Sequence, residues 1–263
     1  MNSKTSGARV LAITNQKGGV GKTTTTVNLA ASLATAGQRV LLVDLDPQGN
    51  ATMGSGIDKR TLVSSIYDVL LGEADLGKVV VRSAAGYDVI PANRDLAGAE
   101  VEMVQVDHRE TRLKQAIADV RAAYDFVLID CPPALNLLTV NALCASDAVM
   151  IPMQCEYYAL EGLSDLVNTV KRVRANLNPT LEIEGLLRTM FDPRNTLAQQ
   201  VSDQLQQHFG DKVYRTVIPR NVRLAEAPSH GMPVLRYDRQ SKGALAYLAL
   251  AGEILSKQTK TKN

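Results

Sequence analysis

Short apolar runs recur along the chain and alternate with longer segments whose apolar residues follow a helical period. The runs are continuous rather than alternating with polar residues, which is typical of strands buried on both faces of a parallel sheet. They predict strands at Val10–Thr14, Arg39–Asp44, Tyr87–Ile90, Phe126–Asp130, Ala148–Met153, Leu181–Met190 and Val213–Val217.

The segments between these runs predict helices at Lys22–Ala36, Glu110–Tyr124, Leu137–Ala145, Leu160–Ala175, Leu197–Phe209 and Lys242–Ser256. Strands that alternate with helices form right-handed βαβ units. The predicted fold is therefore α/β: one doubly wound, mostly parallel twisted sheet with helices on both faces. We expect a flexible N-terminus over 1–8, a single domain over 9–256 and a polar C-terminal tail over 257–263.

Composition adds detail to this picture. With 45% hydrophobic and 21% charged residues, the 263-residue chain can bury a sizeable core and is not wholly disordered. Aromatic residues make up only 4%, so the core must be aliphatic. Cys131, Cys144 and Cys155 have no disulfide or CxxC spacing, which favours a reducing cytoplasm. No signal region or membrane-spanning stretch is predicted.

The formal net charge of +2 conceals an uneven distribution. Residues 188–263 carry 12 Lys/Arg and 6 Asp/Glu, a net of +6, whereas residues 1–187 carry 17 and 21, a net of −4. A basic C-terminal third could form a surface that binds a polyanion. Scattered, solvated charges explain the same counts equally well.

The strongest motif lies between the first predicted strand and the first predicted helix, and reads Lys17, Gly18, Gly19, Val20, Gly21, Lys22, Thr23, Thr24. Its glycines let backbone N–H groups turn toward an anion, and the helix N-terminus adds the positive end of its dipole. Lys22 can reach the β- and γ-phosphates of a nucleotide, and the Thr23 hydroxyl can ligate Mg²⁺. The motif therefore predicts a phosphate-binding loop.

This loop departs from the general pattern G-x-x-x-x-G-K-[ST], which would place glycine at position 16. The chain has Gln16 there and an additional lysine, Lys17, at the start of the loop. A second cation beside a triphosphate needs an anion, which could lie in the same site or across a dimer interface.

The run Lys17–Thr24 (KGGVGKTT) resembles the deviant Walker A motif of the ParA/MinD class of P-loop ATPases. Four further blocks resemble the chromosomal ParA (Soj-type) branch and extend the match along nearly the whole chain: Val43–Asn50 (VDLDPQGN), Leu128–Pro133 (LIDCPP), Val217–Arg223 (VIPRNVR) and Glu226–Gly231 (EAPSHG). The resemblance implies an ATPase that uses ATP and Mg²⁺ and acts in chromosome or plasmid segregation, in the cytoplasm and associated with the nucleoid.

Two aspartates end predicted strands at the edge where doubly wound sheets bind ligands. Asp44 could orient the attacking water, and the resemblance implies that it is the hydrolytic residue; Asp46 is a weaker candidate for the same region. Asp44 could instead be an ordinary turn or helix-cap carboxylate. Asp130 has the position of a Walker B aspartate and would hold Mg²⁺ with Thr23, directly or through water.

The resemblance also implies how the ATPase is used. Lys17 would cross the interface of an ATP-bound homodimer and act in catalysis on the partner's phosphates. Hydrolysis would be slow until a ParB-type centromere-binding protein stimulates it. Pro219 and Asn221 would form part of the adenine pocket, although both residue types are also common in ordinary loops.

A third implication concerns the basic C-terminal third. Arg194 and Arg223 resemble positions that the Soj-type branch uses for sequence-independent DNA binding; Arg220 adds charge, and Lys242 is a weaker match. No base-reading element is recognisable, which favours nonspecific, salt-dependent binding to the phosphates of double-stranded DNA. Each arginine taken alone could equally be a solvated surface charge.

Two other classes of function stay open from the sequence. A MinD-like membrane-associated regulator of cell division needs a C-terminal amphipathic helix, but the predicted last helix is Ala/Leu-rich and its tail is polar, so we expect no membrane partner. A metabolic or redox P-loop enzyme needs a second substrate site or paired cluster cysteines, and neither is recognisable in the sequence.

Overall fold

The computed structural model describes residues 7–261, and their side chains as far as residue 258. Its seven strands are β1 Arg9–Ile13, β2 Val40–Asp44, β3 Val81–Arg82, β4 Asp88–Ile90, β5 Phe126–Asp130, β6 Ala148–Gln154 and β7 Glu182–Thr189. They form one sheet in the order β3-β4-β2-β5-β1-β6-β7. All neighbours pair in parallel except β3 and β4, which are antiparallel. The predicted doubly wound α/β fold is confirmed.

The helices of the described chain are α1 Lys22–Thr35, α2 Asn50–Gly54, α3 Ile66–Leu71, α4 Leu76–Val79, α5 Leu96–Glu102, α6 Arg112–Val120, α7 Leu137–Ala145, α8 Ala159–Asn176, α9 Thr196–Phe209, α10 Val222–Glu226, α11 Val234–Tyr237 and α12 Lys242–Thr261. Several 3₁₀ turns link them. None of these helices is long and apolar enough to cross a bilayer.

The core consists of two apolar clusters, one on each face of the sheet. Successive β1 residues alternate between them: Val10 and Ala12 face one cluster, and Leu11 and Ile13 face the other, because side chains along a strand have a period of two. One cluster includes side chains of α3–α9, and the other those of α1, α2 and α10–α12. Strands covered on both faces explain why their sequences read as continuous apolar runs.

The predicted strand Val213–Val217 was wrong. Val213 makes only an isolated bridge to Leu186. The N–H of Tyr214 still donates to the carbonyl of Leu186 in β7 at 3.0 Å. The N–H groups of Arg215 and Thr216 donate instead to the Glu253 carboxylate at 2.9 and 3.0 Å. A side chain of α12 thus satisfies the donors that a strand would have used in a ladder.

Other differences concern element ends and short elements. The two-residue edge strand β3 and the short helices α2–α5, α10 and α11 were missed, because so few residues show no measurable period. Of the predicted flexible segment 1–8, residues 1–6 lie outside the described chain, but Ala8 is fully buried and its N–H donates to the carbonyl of Arg121 at 3.0 Å. The last helix continues to Thr261, past its predicted end at Ser256; residues 262–263 lie outside the described chain.

Candidate nucleotide-binding site

A cleft of about 450 Å³ opens at the carboxyl edge of the sheet, where doubly wound folds bind ligands, and its volume is in the range of small-molecule sites. The loop between β1 and α1 forms one wall, and residues from distant parts of the chain form the others. The cleft is lined by Gly18, Gly19, Gly21, Lys22, Thr23, Thr24, Asp46, Asn50, Pro133, Thr189, Met190, Ile218, Pro219, Arg220, Asn221, Leu224, Ala225 and Tyr247.

Two glycines of the phosphate-binding loop have backbone angles that other residues rarely adopt. Gly19 has φ +73° and Gly21 has φ +89°, so both lie in the left-handed region that favours glycine. Neighbouring strands support the loop: the Thr189 hydroxyl at the end of β7 donates to the carbonyl of Val20 at 2.7 Å. The Asn15 amide donates to the carbonyl of Pro152 in β6 at 2.9 Å. The loop is thereby pre-shaped to surround an anion.

The two lysines of the loop have opposite environments. Lys22 is 7% exposed, and its Nζ donates to the carbonyl of Lys17 at 3.0 Å, inside the loop. Burial lowers the pKa of Lys22, although the nearby Asp130 carboxylate opposes that shift. The Lys17 side chain is about half exposed, and its Nζ forms an ion pair with Glu156. The amine of Lys22 therefore lies inside the loop, whereas that of Lys17 extends to the protein surface.

The chemistry of a magnesium site is present beside the loop. The Thr23 hydroxyl donates to Asp130 Oδ2 at 2.7 Å, and the Thr26 hydroxyl donates to Asp130 Oδ1 at 3.0 Å. In the described chain no group of three or more His, Cys, Asp or Glu side chains could hold a metal by itself. Hydroxyl and carboxylate oxygens that leave positions for phosphate oxygens suit Mg²⁺, which is usually bound by a few protein ligands together with a nucleotide. The donor set therefore fits Mg²⁺ held jointly with a phosphate chain.

The two candidate hydrolytic aspartates lie in different places. Asp44 is fully buried; its Oδ2 accepts from both the N–H and the hydroxyl of Thr52 at 2.7 Å, and its Oδ1 accepts from the N–H of Asp46 at 3.2 Å. It is not among the residues that line the cleft, whereas Asp46 is. Asp44 thus links α2 to the end of β2 through hydrogen bonds. This position does not fit the prediction that its carboxylate contacts the attacking water.

The opposite end of the cleft is suited to a base. Pro219 and Asn221 both line it, as does Tyr247 of α12. Asn221 Oδ1 accepts from the N–H of Leu224 and caps α10, so its amide nitrogen is the group that it can offer a ligand. The Tyr247 hydroxyl lies 3.1 Å from the Thr25 hydroxyl of α1. Tyr247 was missed from the sequence because no local pattern links the last helix to the first.

The proposed DNA-binding side chains are exposed but differ in their partners. Arg194 forms an ion pair with Asp192 at 2.8 Å, and Arg223 forms one with Glu226 at 2.8 Å. Arg220 and Lys242 are exposed as well; Arg220 lines the mouth of the nucleotide cleft, and Lys242 begins α12. Arg220 therefore lies at the cleft, and the charges of Arg194 and Arg223 are largely neutralised by carboxylates of their own chain.

A loop with adjacent lysine and threonine between a central parallel strand and its helix, together with an aspartate ending a neighbouring strand, defines a P-loop nucleoside triphosphatase. A family model described as an AAA domain matches residues 8–183. The sporulation initiation inhibitor protein Soj of Bacillus subtilis is 58% identical over 247 residues, covering 94% of this chain and 98% of that protein. The chromosome partitioning protein ParA of Caulobacter vibrioides is 55% identical over 253 residues, 95% of each chain.

The chain belongs to the ParA/Soj family of chromosome-partitioning P-loop ATPases. A solved structure from Mycobacterium smegmatis, named cobyrinic acid a,c-diamide synthase and holding an ATP analogue and magnesium, is 39% identical with a TM-score of 0.85 over 96% of each chain. Its ligands are those that the loop, Thr23 and Asp130 fit in this protein.

Proposed function

We propose that this protein is an ATP-driven switch for chromosome or plasmid segregation. An ATP-bound homodimer binds double-stranded DNA nonspecifically, and a ParB-type centromere-binding partner releases it by stimulating hydrolysis. One observation carries the proposal: Lys22 Nζ turns into the loop, whereas Lys17 Nζ reaches out to an exposed partner. One lysine can therefore serve the chain's own nucleotide while the other is available to a second protomer. The name of the ParA relative, a chromosome partitioning protein, supports the segregation role.

ATP binding needs the loop, the magnesium ligands and the base end of the cleft together. Backbone N–H groups from Gly18 to Thr24 surround the phosphates, and Lys22 neutralises part of their charge. Thr23 and Asp130 hold Mg²⁺, which when bound shields the phosphate oxygens from one another. Pro219 and Asn221 contact the base. The Asp130 carboxylate is oriented for this task by hydrogen bonds from Thr23 and Thr26.

We assign the orientation of the attacking water to Asp46 rather than to Asp44. Asp46 lines the cleft, whereas the carboxylate of Asp44 is buried and is already bonded to Thr52 and to the N–H of Asp46. Asp44 supports the reaction indirectly, because it holds the loop on which Asp46 lies. A water-orienting carboxylate must lie within hydrogen-bond reach of the water.

Dimerisation would require Lys17 to leave its own Glu156 and meet the phosphates of a second protomer. Both side chains of this ion pair are about half exposed, so the pair stabilises the monomer only slightly and can be exchanged. A dimer interface that includes the γ-phosphate weakens once that phosphate has been hydrolysed. Slow intrinsic hydrolysis then sets the lifetime of the dimer, and a partner that orders Asp46 and the water shortens it.

Binding to DNA follows from pairing two basic surfaces. Arg194, Arg220, Arg223 and Lys242 of each protomer contact phosphates, and the joint binding of two protomers multiplies their weak individual affinities. Such binding depends strongly on salt and not on sequence. It would associate the ATP-bound protein with the nucleoid in the cytoplasm.

Cosedimentation of the protein with DNA or with liposomes, in ATP, ADP or no nucleotide, tests this proposal. We expect DNA to retain only the ATP-bound protein, and Arg223→Glu to abolish retention while dimerisation survives. Retention on liposomes instead would favour the MinD-like alternative. That alternative is disfavoured because α12 already uses its apolar side within the fold, where Ala244, Tyr247, Leu250, Ala251 and Ile254 are buried.

The name of the Mycobacterium smegmatis protein, a synthase, favours a second alternative, a metabolic P-loop enzyme. The Caulobacter vibrioides protein, which is named for chromosome partitioning, is more similar to this chain, at 55% identity against 39%. ATP-dependent ligation does not require DNA, so failure of the ATP-bound protein to bind DNA would favour a ligase over a segregation switch.

A further inference from the structure

Arg223, which we propose binds DNA phosphates, is held by two carboxylates of its own chain. Its Nη1 lies 2.8 Å from Glu226 Oε2, and its Nε lies 3.3 Å from Asp238 Oδ2. The Arg223 side chain is about half exposed. The three side chains together carry a formal charge of −1, so this part of the surface does not attract a polyanion as it stands.

Glu226 is fixed in this position from a second side. The Tyr237 hydroxyl donates to the same Glu226 Oε2 at 3.2 Å. The Tyr237 ring in turn stacks on the His230 ring, with centroids 4.9 Å apart and an interplanar angle of 25°. A carboxylate that is held in place loses less entropy when it pairs with Arg223 than a mobile side chain would.

The short helix α10, which carries Arg223 and Glu226, also borders the nucleotide cleft. Asn221, which caps α10, lines the base end of the cleft, as do Leu224 and Ala225 of that helix. Arg223 and Glu226 lie on the same helix, one turn apart. One five-residue helix thus carries part of the nucleotide wall and an ion pair of the proposed DNA surface.

Resting on the proposed DNA function, we propose that Glu226 and Asp238 compete with DNA phosphates for Arg223 and thereby set the affinity of this surface. A phosphate can bind the guanidinium fully only after displacing a carboxylate. Because the ion pairs are exposed to solvent, displacement costs little at each protomer. The cost weakens a single protomer's hold on DNA, and a dimer that presents two such surfaces overcomes it.

The competition is measured with the full-length protein in ATP and a fluorescent DNA duplex of arbitrary sequence, by anisotropy across a salt series. We expect Glu226→Gln and Asp238→Asn each to bind about two- to fivefold more tightly than wild type, as the strength of an exposed ion pair allows. The matched control is Glu182→Gln, which makes the same charge change at an exposed residue at the start of β7, the end of the sheet opposite the cleft; it should shift affinity much less.

A double variant separates competition from a general change in charge. Adding Glu226→Gln to an Arg223→Ala background should give no gain over Arg223→Ala alone, because the contested guanidinium is gone. A gain that persists in that background overturns the proposal. So does a Glu226→Gln variant that binds equally or more weakly than wild type, since that result would make Glu226 a positioning residue for Arg223.

Failure of the proposed competition can be distinguished from failure of the proposed DNA-binding function. If wild-type protein does not bind DNA in ATP, the segregation proposal fails. Retention on heparin, a soluble polyanion, then tests the competition by itself. Glu226→Gln should elute at higher salt than Glu182→Gln, and equal elution would refute the competition.

Discussion

Asp44 and Asp130 are register partners at the carboxyl ends of the neighbouring parallel strands β2 and β5, and both are fully buried. Burial raises the pKa of each carboxyl, and the charge of Asp44 raises the pKa of Asp130 further. The two differ in their partners, because Asp44 is bonded to α2 whereas Asp130 is bonded to the threonines of α1. The same strand position therefore anchors a helix in one case and places a carboxylate beside the proposed magnesium site in the other.

The contrast between Asp44 and Asp46 gives a first prediction. Asp46→Ala should keep ATP binding and the dimer but lose most hydrolysis, because it removes a carboxylate from the cleft wall. Asp44→Ala should lower the free energy of unfolding by about 2 kcal/mol, since it leaves the Thr52 and Asp46 donors without their acceptor. Urea unfolding and ATP turnover distinguish the two. If Asp46→Ala hydrolyses ATP at the wild-type rate, a group other than Asp46 orients the attacking water.

The magnesium ligands can be tested with threonines of the same helix. Thr23→Ala should abolish the effect of Mg²⁺ on nucleotide affinity, and Thr23→Ser should restore it because the hydroxyl returns. Thr26→Ala removes only one bond that orients Asp130 and should weaken the effect rather than abolish it. Titration calorimetry with ATP, with and without Mg²⁺, measures both. Equal losses from Thr23→Ala and Thr26→Ala would contradict a ligand role for Thr23.

The two loop lysines should separate nucleotide binding from dimerisation. Lys22→Ala should lose ATP affinity, because Lys22 is the buried cation of the loop. Lys17→Ala should bind ATP and stay monomeric, since its amine faces outward to Glu156. Light scattering in saturating ATP gives the oligomeric state. A dimer of Lys17→Ala would refute the crossing role of that lysine.

The buried carboxylates predict a pH dependence of stability without nucleotide. Because the pKa values of Asp44 and Asp130 are higher in the folded than in the unfolded state, the folded protein binds protons more tightly. The cost of the two buried charges is present above the folded pKa and is relieved as the pH falls through it. In Mg²⁺-free buffer, the free energy of unfolding should therefore increase as the pH is lowered from about 8 to about 5.

Thermal unfolding across that range measures the effect, with Asp130→Asn as the comparison. The variant carries no charge at this position, so its stability should depend less on pH than that of wild type. An identical pH dependence in the two proteins would show that Asp130 is already protonated or solvated throughout this range.

Most of the architecture could be predicted from the order of apolar runs and helical periods. Six of the predicted strands and the alternation with helices needed only local patterns, because buried parallel strands are continuous and apolar. The run Val213–Val217, which contains Arg215 and Thr216 between its valines, is not a strand. The backbone N–H groups of Arg215 and Thr216 donate to Glu253, 38 and 37 residues later in the chain, and no local pattern indicates such a contact.

The sequence by itself determined the phosphate-binding loop, because its glycines, lysines and threonines are contiguous and their chemistry depends only on a strand before them and a helix after them. Tertiary structure alone decided which aspartate meets the cleft, where Lys17 points and which carboxylates hold Arg223. Each of these depends on burial or on partners that folding brings together, such as Thr52 with Asp44 and Glu156 with Lys17. Two aspartates separated by one residue are chemically identical in the chain; packing makes one a structural anchor and leaves the other facing the ligand.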